Sequence, residues 1–240
     1  MQAIPFLGVP ESEQPTSKKH MPSSHIRQIG FGSGVVLVGL GLAYLGLFAA
    51  MMLSGSGFPP TEPLQTIFNI LILLTAVWMV FFWSVLHQAV SAERKLFTRA
   101  SLMLIVIFAA LTSINRYVAL TVVRQSLSSG NTNGLDWFMP YGWPSVMLAL
   151  EILGWGFFFG LACLCLAPVF TTGPLERAIS RVLIATGILS LLAPLGQVIG
   201  SNALAFNPFT LAATAGWGPG LTAAVALITV WFRKAGISTE

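Results

Sequence analysis

Two ionisable side chains lie deep within long apolar stretches of the sequence, where an isolated charge is costly. Arg116 follows the segment Leu-Thr-Ser-Ile-Asn, and Glu151 follows Met-Leu-Ala-Leu. An unpaired charge in hydrocarbon costs at least ~2.5–3.5 kcal/mol, so each needs a partner or a water-filled cavity. A guanidinium and a carboxylate can form a bidentate hydrogen-bonded contact. We therefore expect Arg116 and Glu151 to pair with each other.

Further polar residues and a weakened helix are expected near this pair. The segment Gly-Trp-Gly-Pro-Gly at 216–220 combines residues that interrupt helices, and irregular backbone in a membrane persists only where protein or a water-filled cavity satisfies it. One hypothesis is an outward-facing pocket that binds a ligand. The alternative is a structural pair that fixes the register of two helices and binds nothing. The first hypothesis assigns to the pocket Arg116, Glu151, Asn115, Asn69, Gln197 and Trp217.

The residues that familiar catalytic and cofactor chemistry requires are missing from the apolar stretches. No lysine lies there to anchor a retinal Schiff base, and the sequence has no His-Glu-x-x-His, Gly-x-Ser-x-Gly or Walker A motif. Cys163 and Cys165 point apart on a helix, which favours packing residues over a disulfide or metal site. His87 is interpreted as an interfacial polar residue, with a haem or proton site as the alternative. We expect no catalytic residue, metal or cofactor, and favour a non-enzymatic protein.

The composition excludes a soluble domain. Of the 240 residues, 55% are apolar and only 8% are charged, whereas about a quarter of the residues of a soluble domain are charged. Lipid must therefore cover most of the surface. The net charge of +4 does not indicate a nucleic-acid partner, because the basic residues form no patch with interleaved aromatic residues.

Long apolar runs predict the fold class. A helix of about 20 residues crosses the ~30 Å hydrocarbon core of a bilayer, and six runs reach that length. They predict an all-α, polytopic membrane protein with six transmembrane helices. The runs cover residues 31–54, 65–90, 101–123, 144–170, 178–199 and 209–232. The predicted organisation is a flexible cytoplasmic tail at 1–28, a six-helix transmembrane domain at 29–234 and a cytoplasmic tail at 235–240.

The distribution of lysine and arginine predicts the orientation of these helices. Basic residues in short loops are retained on the cytoplasmic side of a membrane. Here they concentrate in the two tails and in the second and fourth loops, so we predict that both termini are cytoplasmic. Arg116 and Glu151 then each lie about seven residues, or ~10 Å, below the outer boundary. The basic residues on the predicted inner side are Lys18, Lys19, Arg27, Arg94, Lys95, Arg99, Arg177, Arg181, Arg233 and Lys234.

The first apolar run carries a stripe of small residues on one helical face. Such residues let helix backbones approach closely in a membrane. The favoured interpretation is packing against a neighbouring helix of the same chain, and the alternative is a seam between copies or with another membrane protein. The stripe consists of Gly39, Ala43, Gly46 and Ala50.

Four segments in the middle of the chain resemble segments of a known group of membrane proteins. They are Ile-Asn-Arg-Tyr-Val-Ala-Leu-Thr-Val-Val-Arg-Gln at 114–125, Met-Leu-Ala-Leu-Glu-Ile-Leu-Gly-Trp-Gly at 147–156, Ala-Pro-Val-Phe at 167–170 and Leu-Glu-Arg-Ala-Ile at 175–179. Together they resemble a group of uncharacterised bacterial six-helix membrane proteins described as domains of unknown function. The resemblance implies a bacterial inner-membrane protein with a single six-helix domain. It implies no activity, and it does not extend to residues 1–28.

These features favour transport or sensing of a small polar or ionic ligand from the outer face. The main alternative is a non-enzymatic accessory or scaffold subunit that packs through its first helix against another membrane protein or a second copy. A membrane enzyme with an unfamiliar site is a third possibility. The expected location is the inner, or plasma, membrane, with the lipid bilayer as the principal partner.

Overall fold

The computed structural model of the protein describes residues 23–54, 60–140, 145–199 and 208–234. All regular structure in these segments is helical, and six helices are long and apolar enough to cross a membrane. This confirms the predicted all-α, multi-pass membrane fold. The helices are α1 Ser24–Leu53, α2 Leu64–Ala89, α3 Ala92–Ser129, α4 Val146–Val169, α5 Pro174–Val198 and α6 Pro208–Lys234. Residues 1–22 and 235–240, which contain most of the predicted tails, lie outside the described residues.

Helix α1 begins before the apolar run that predicted it. Residues 24–28, which we predicted to belong to the tail, form its first turns. The Ser23 hydroxyl accepts a hydrogen bond from the backbone N–H of Ile26 at 3.5 Å and so caps the helix. The backbone therefore becomes helical at a capping residue, whereas the hydropathy of the sequence rises only later.

Helix α3 extends past both ends of its predicted run, 101–123. It begins among the charged residues at 92–99 and ends at Gly130, which adopts the left-handed conformation with φ 73°. Glutamate, lysine and arginine are good helix formers, so polar flanks prolong a helix that hydropathy alone would end. Its 38 residues give a length of about 57 Å, which exceeds the ~30 Å hydrocarbon core.

Three of the spans contain a short π-helical segment, in which the backbone hydrogen bonds shift by one residue. π-Helical turns are rare and occur mostly as single turns within α-helices. Among the described residues, the π-helical segments are Ala119–Val123 in α3, Leu153–Phe158 in α4 and Gly216–Gly220 in α6. Short 3-10 segments are Ala92–Arg94 at the start of α3, Leu135–Phe138 in the third loop and Ala167–Val169 at the end of α4.

The six helices form a closed ring. Each helix packs against its neighbours in sequence, and α1 completes the ring by packing against α6. Side-chain hydrogen bonds join the helices at two of these contacts. Trp78 of α2 donates its indole N–H to the carbonyl of Ser33 in α1 at 2.9 Å, and Ser101 of α3 donates to the carbonyl of Ala162 in α4 at 2.7 Å. The buried apolar residues of the ring form a large cluster and a smaller one around Leu148, Ile152, Ala193 and Ala213.

One end of the ring carries those basic residues of the predicted inner side that the structure describes, from Arg27 to Lys234; we call it the basic end. Arg94, at the start of α3, donates hydrogen bonds to the carbonyl of Val169 and, at 2.8 Å, to the hydroxyl of Thr171. This arginine therefore ties the second loop to the fourth. The assignment of the basic end to the cytoplasm stays a prediction.

Large apolar side chains fill the half of the interior nearer the basic end. The side chains of Met79, Phe82, Trp83, Ile228 and Phe232 are at most 1% exposed, and we call them the aromatic plug. The rings of Phe82 and Phe232 meet edge to face, with centroids 6.1 Å apart. Packed side chains therefore occupy this half.

Glycines of α1 allow close packing against α6, but they are not those of the predicted stripe. A Cβ atom on Gly34 or Gly41 would collide with the hydroxyl of Thr229 or Thr222. The stripe Gly39, Ala43, Gly46 and Ala50 is exposed, and a Cβ added to Gly39 or Gly46 would meet nothing within 4 Å. The interpretation that the stripe packs within the chain is therefore corrected for the described residues, because α1 turns its other glycine face inward. A seam with another protein stays a prediction.

Replacing Gly34 by alanine is expected to destabilise the fold by about 1–3 kcal/mol, because the new methyl group overlaps the Thr229 hydroxyl. Gly39→Ala, on the exposed face, is the matched control and is expected to leave stability unchanged or slightly raised. Thermal unfolding in mild detergent measures both. Equal stability of the two variants would contradict the packing of α1 on α6.

Candidate functional site

Arg116 is the centre of a polar network inside the ring. Its side chain is only 1% exposed. The guanidinium donates one hydrogen bond to Glu151 Oε1 and another, of 3.0 Å, to Asn69 Oδ1. The ion pair expected from the sequence is therefore present, and it joins α3 to both α4 and α2.

The carboxylate of Glu151 is held on both of its oxygens. Oε1 accepts from Arg116, and Oε2 accepts from the Asn115 side-chain amide at 2.6 Å. The same amide nitrogen also donates to the backbone carbonyl of Met147 at 2.9 Å. A buried carboxylate needs such hydrogen bonds in addition to an opposite charge, because attraction alone rarely offsets its desolvation. The network thus fixes the carboxylate in one orientation.

The π-helical turns lie next to this network. In α3 the turn begins three residues after Arg116, and in α4 it begins two residues after Glu151. The turn of α6 contains Trp217. π-Helical turns frequently occur at functional sites, where they change the direction of side chains within a helix. Three helices therefore depart from α-helical geometry around one site.

A cavity of about 70 Å³ lies beside the Glu151 carboxylate. Four helices, α1, α2, α4 and α6, contribute to its wall. Since roughly 10–15 Å³ of such space holds one water molecule, there is room for several waters or for a small organic molecule. The wall is formed by Gly41, Tyr44, Ile72, Thr75, Glu151, Trp155, Trp217, Gly218, Leu221 and Thr222.

The two tryptophans of the wall differ from two other tryptophans of the interior. Trp78 and Trp83 donate their indole N–H groups to the carbonyl of Ser33 and the hydroxyl of Ser101, each at 2.9 Å. The indole N–H groups of Trp155 and Trp217 are buried and have no acceptor among the described residues. Buried N–H groups in proteins nearly always have one. Two unused donors therefore belong to residues that line the cavity.

Neighbouring rings hold Trp155 in place. Its ring meets Phe108 edge to face, with centroids 4.6 Å apart, and lies 5.7 Å from Phe159 and 6.5 Å from Trp217. Aromatic pairs at these distances are favourable. The Trp155 ring is thus packed against three aromatic neighbours.

Five of the six predicted pocket residues form one site, in which they have two roles. Glu151 and Trp217 line the cavity. Arg116, Asn115 and Asn69 belong to the network that holds Glu151, without lining the cavity themselves.

Gln197 is not part of the site that the other five residues form. It is partly exposed on α5, and it neither lines the cavity nor bonds to the network. The prediction placed it by depth alone, and depth does not determine the direction in which a helical side chain points.

Four further side chains with polar groups or rings line the cavity and were not predicted: Tyr44, Thr75, Trp155 and Thr222. Trp155 could have been found, because a residue four positions after Glu151 lies on the same helical face. The two threonines had no such signal. Each donates its hydroxyl to a backbone carbonyl of its own helix, to Leu71 at 2.8 Å and to Gly218 at 2.9 Å respectively.

The described residues hold no group of three or more His, Cys, Asp or Glu side chains that could bind a metal ion. Cys163 is buried, and it and Cys165 are free cysteines. His87 lies near the basic end, where its Nδ1 is 2.7 Å from the hydroxyl of Thr98. This contact joins α2 to α3, far from the Glu151 cavity along the helix.

No protein-family model matches the chain, and neither curated proteins nor solved structures give a match. Any functional inference therefore depends on the geometry of the site.

Replacing Arg116 by methionine is expected to cost up to about 3–5 kcal/mol of stability, because it leaves the partly buried Glu151 carboxylate without a cation. The double variant Arg116→Met, Glu151→Met is expected to recover most of that loss, since it removes both charges. Arg124→Met, the same change at an exposed position of α3, is the control. Unfolding in detergent measures the stability of all three variants. If Arg116→Met were as stable as Arg124→Met, the fold would not depend on the Arg116–Glu151 pair.

Proposed function

We propose that the protein transports or senses a small polar or ionic ligand, which binds in the cavity beside Glu151. One observation carries this proposal. The Glu151 carboxylate is fixed by a buried ion pair and at the same time forms part of the wall of a cavity. A pair that served packing alone would have no reason to border open space. Ionisable groups within membrane spans are costly, and they commonly mark substrate or ion pathways.

The position of the cavity supports binding from the outer face. It lies in the half of the ring away from the basic end, which corresponds to the outer half in the orientation that the basic residues predict. The aromatic plug fills the other half. Transport would therefore require the plug or the helices around it to move, whereas sensing would require only a change near the cavity. We further propose that the membrane is a bacterial inner membrane, on the resemblance of residues 114–179.

A second candidate function is that of a scaffold or accessory subunit. The observation that favours it is the exposed small-residue stripe of α1, Gly39, Ala43, Gly46 and Ala50, which leaves a flat face for another helix. The two functions are compatible, because the stripe and the cavity lie on different sides of α1. Purification in mild detergent after Gly39→Leu tests this candidate: loss of a co-purifying protein or of a dimer supports it.

A screen of small solutes of differing charge tests the proposed function. Purified protein is expected to show a saturable rise in melting temperature with at least one solute class, since a ligand at 100 times its Kd stabilises the folded state by about 2.7 kcal/mol. The double variant Arg116→Met, Glu151→Met is expected to fold but to lose this response. Arg124→Met keeps it.

Two outcomes would contradict the proposal. One is that no solute of any class stabilises the wild-type protein. The other is that the double variant responds as the wild type does, because the response would then arise elsewhere. Solute flux into proteoliposomes that contain the wild-type protein separates transport from sensing.

A further inference from the structure

We infer that the cavity beside Glu151 binds a small organic cation with an ammonium group, of about the size of methylammonium. This inference rests on the proposed function and names the chemical class of its ligand. Its basis is an asymmetry of the buried ion pair. The anion of the pair lines the cavity, and the cation does not.

The two charges of the network differ in their access to the cavity. The Glu151 side chain is 12% exposed and lines the cavity, whereas that of Arg116 is 1% exposed and does not. Among the described residues of the wall, Glu151 is the only one charged at neutral pH. Each of its carboxylate oxygens accepts one described hydrogen bond, and an ionised carboxylate has about four acceptor sites. A ligand in the cavity therefore meets a negative charge that can accept further hydrogen bonds.

The other polar residues of the wall offer few hydrogen-bond donors. Thr75 and Thr222 each donate their hydroxyl hydrogen to a backbone carbonyl of their own helix, so these oxygens can only accept further bonds. The indole nitrogens of Trp155 and Trp217 are buried. The Tyr44 hydroxyl can accept as well as donate. Such a wall suits an ammonium group, which only donates, and disfavours an anion, which needs donors.

The apolar part of the wall favours an organic cation over a metal ion. Hard metal cations take about six or more oxygen ligands, whereas four side chains of the wall carry oxygen. An ammonium group needs fewer acceptors, and its methyl group can contact apolar surface. The cavity of about 70 Å³ has room for such a molecule. The apolar surface comes from Gly41, Ile72, Leu221 and the rings of Tyr44, Trp155 and Trp217.

Arg116 limits how tightly the cation binds. Its guanidinium already donates to Glu151 Oε1, so a bound cation shares one carboxylate with a second positive charge. An excess charge at membrane depth is unfavourable, and we therefore expect weak binding. Without Arg116 the ligand would become the counter-charge of Glu151. A cationic ligand thus has a distinctive signature, because its affinity rises when this arginine is removed.

Methylammonium, potassium, acetamide and acetate are the probes for this inference. Each is titrated at constant ionic strength against the wild-type protein, with melting temperature as the readout. Methylammonium is expected to give a saturable rise that the other three do not give. Acetamide and acetate also carry one methyl group but are neutral and negative, so they separate the effect of charge from that of size.

Two variants are expected to change the methylammonium affinity in opposite directions. Glu151→Gln weakens it by roughly 10- to 100-fold, because the carboxamide has no charge. Arg116→Met strengthens it by at least about 3-fold, because the competing positive charge is gone. Glu62→Gln, at an exposed position on the predicted outer side, is the matched control and leaves the affinity unchanged. If Glu151→Gln fails to fold, the solute series and Arg116→Met still decide the matter.

The outcomes separate this inference from the proposed function. Binding of potassium, acetamide or acetate as tight as that of methylammonium overturns the ligand class and leaves the proposed function standing. Methylammonium binding that Glu151→Gln leaves unchanged, or that Arg116→Met does not strengthen, also overturns the inference. No binding by any of the four probes overturns it as well, and the proposed function fails in addition only when the broader solute screen is negative.

Discussion

The Arg116–Glu151 ion pair is the interaction on which the arrangement of this protein depends. In a low-dielectric interior neither charge is tolerable alone, so α3 and α4 must hold the depth and rotation that bring the two groups together. Asn69 and Asn115 extend the constraint, because they complete hydrogen bonds to the same two groups from α2 and α3. Three helices of the ring are thereby fixed relative to one another by a few polar atoms, and the cavity lies where this rigid polar corner meets α1 and α6.

The polarity and packing of the interior change along the membrane normal. The half that holds the ion pair has polar groups, three π-helical turns and open space. The half at the basic end has no π-helical turn among the described residues and is packed with large side chains such as Phe82 and Phe232. Dispersion and close packing stabilise the second half, since lipid is as apolar as the side chains and supplies little hydrophobic driving force between helices. Binding chemistry and packing stability are therefore carried by different halves of the same helices.

Much of the fold, and the centre of the site, could be predicted from the sequence for identifiable physical reasons. The length of apolar runs gives the six spans, and the cost of a buried charge gives the pairing of Arg116 with Glu151. The rotation of each helix about its axis is harder to predict from sequence. Two sets of small residues on α1 look equally suited to packing, and only the tertiary contacts reveal that Gly34 and Gly41 face α6. For the same reason Gln197, which was placed in the site by its depth alone, proved to lie outside it. Tyr44 was not predicted because no polar residue of α1 connected that helix to the site.

The π-helical turns make some parts of the molecule stiffer than others. A helix bends most readily where its hydrogen-bond register changes, and Pro219 removes one backbone donor within the turn of α6. At the basic end, Arg94 ties two loops together below the packed interior, so this end forms a fixed base. Beyond the turn of α6, the remaining segment Pro208–Ala215 has no described bond to the Arg116–Glu151 pair. A small tilt of this segment at the turn would change the volume beside Glu151 and leave the base undisturbed.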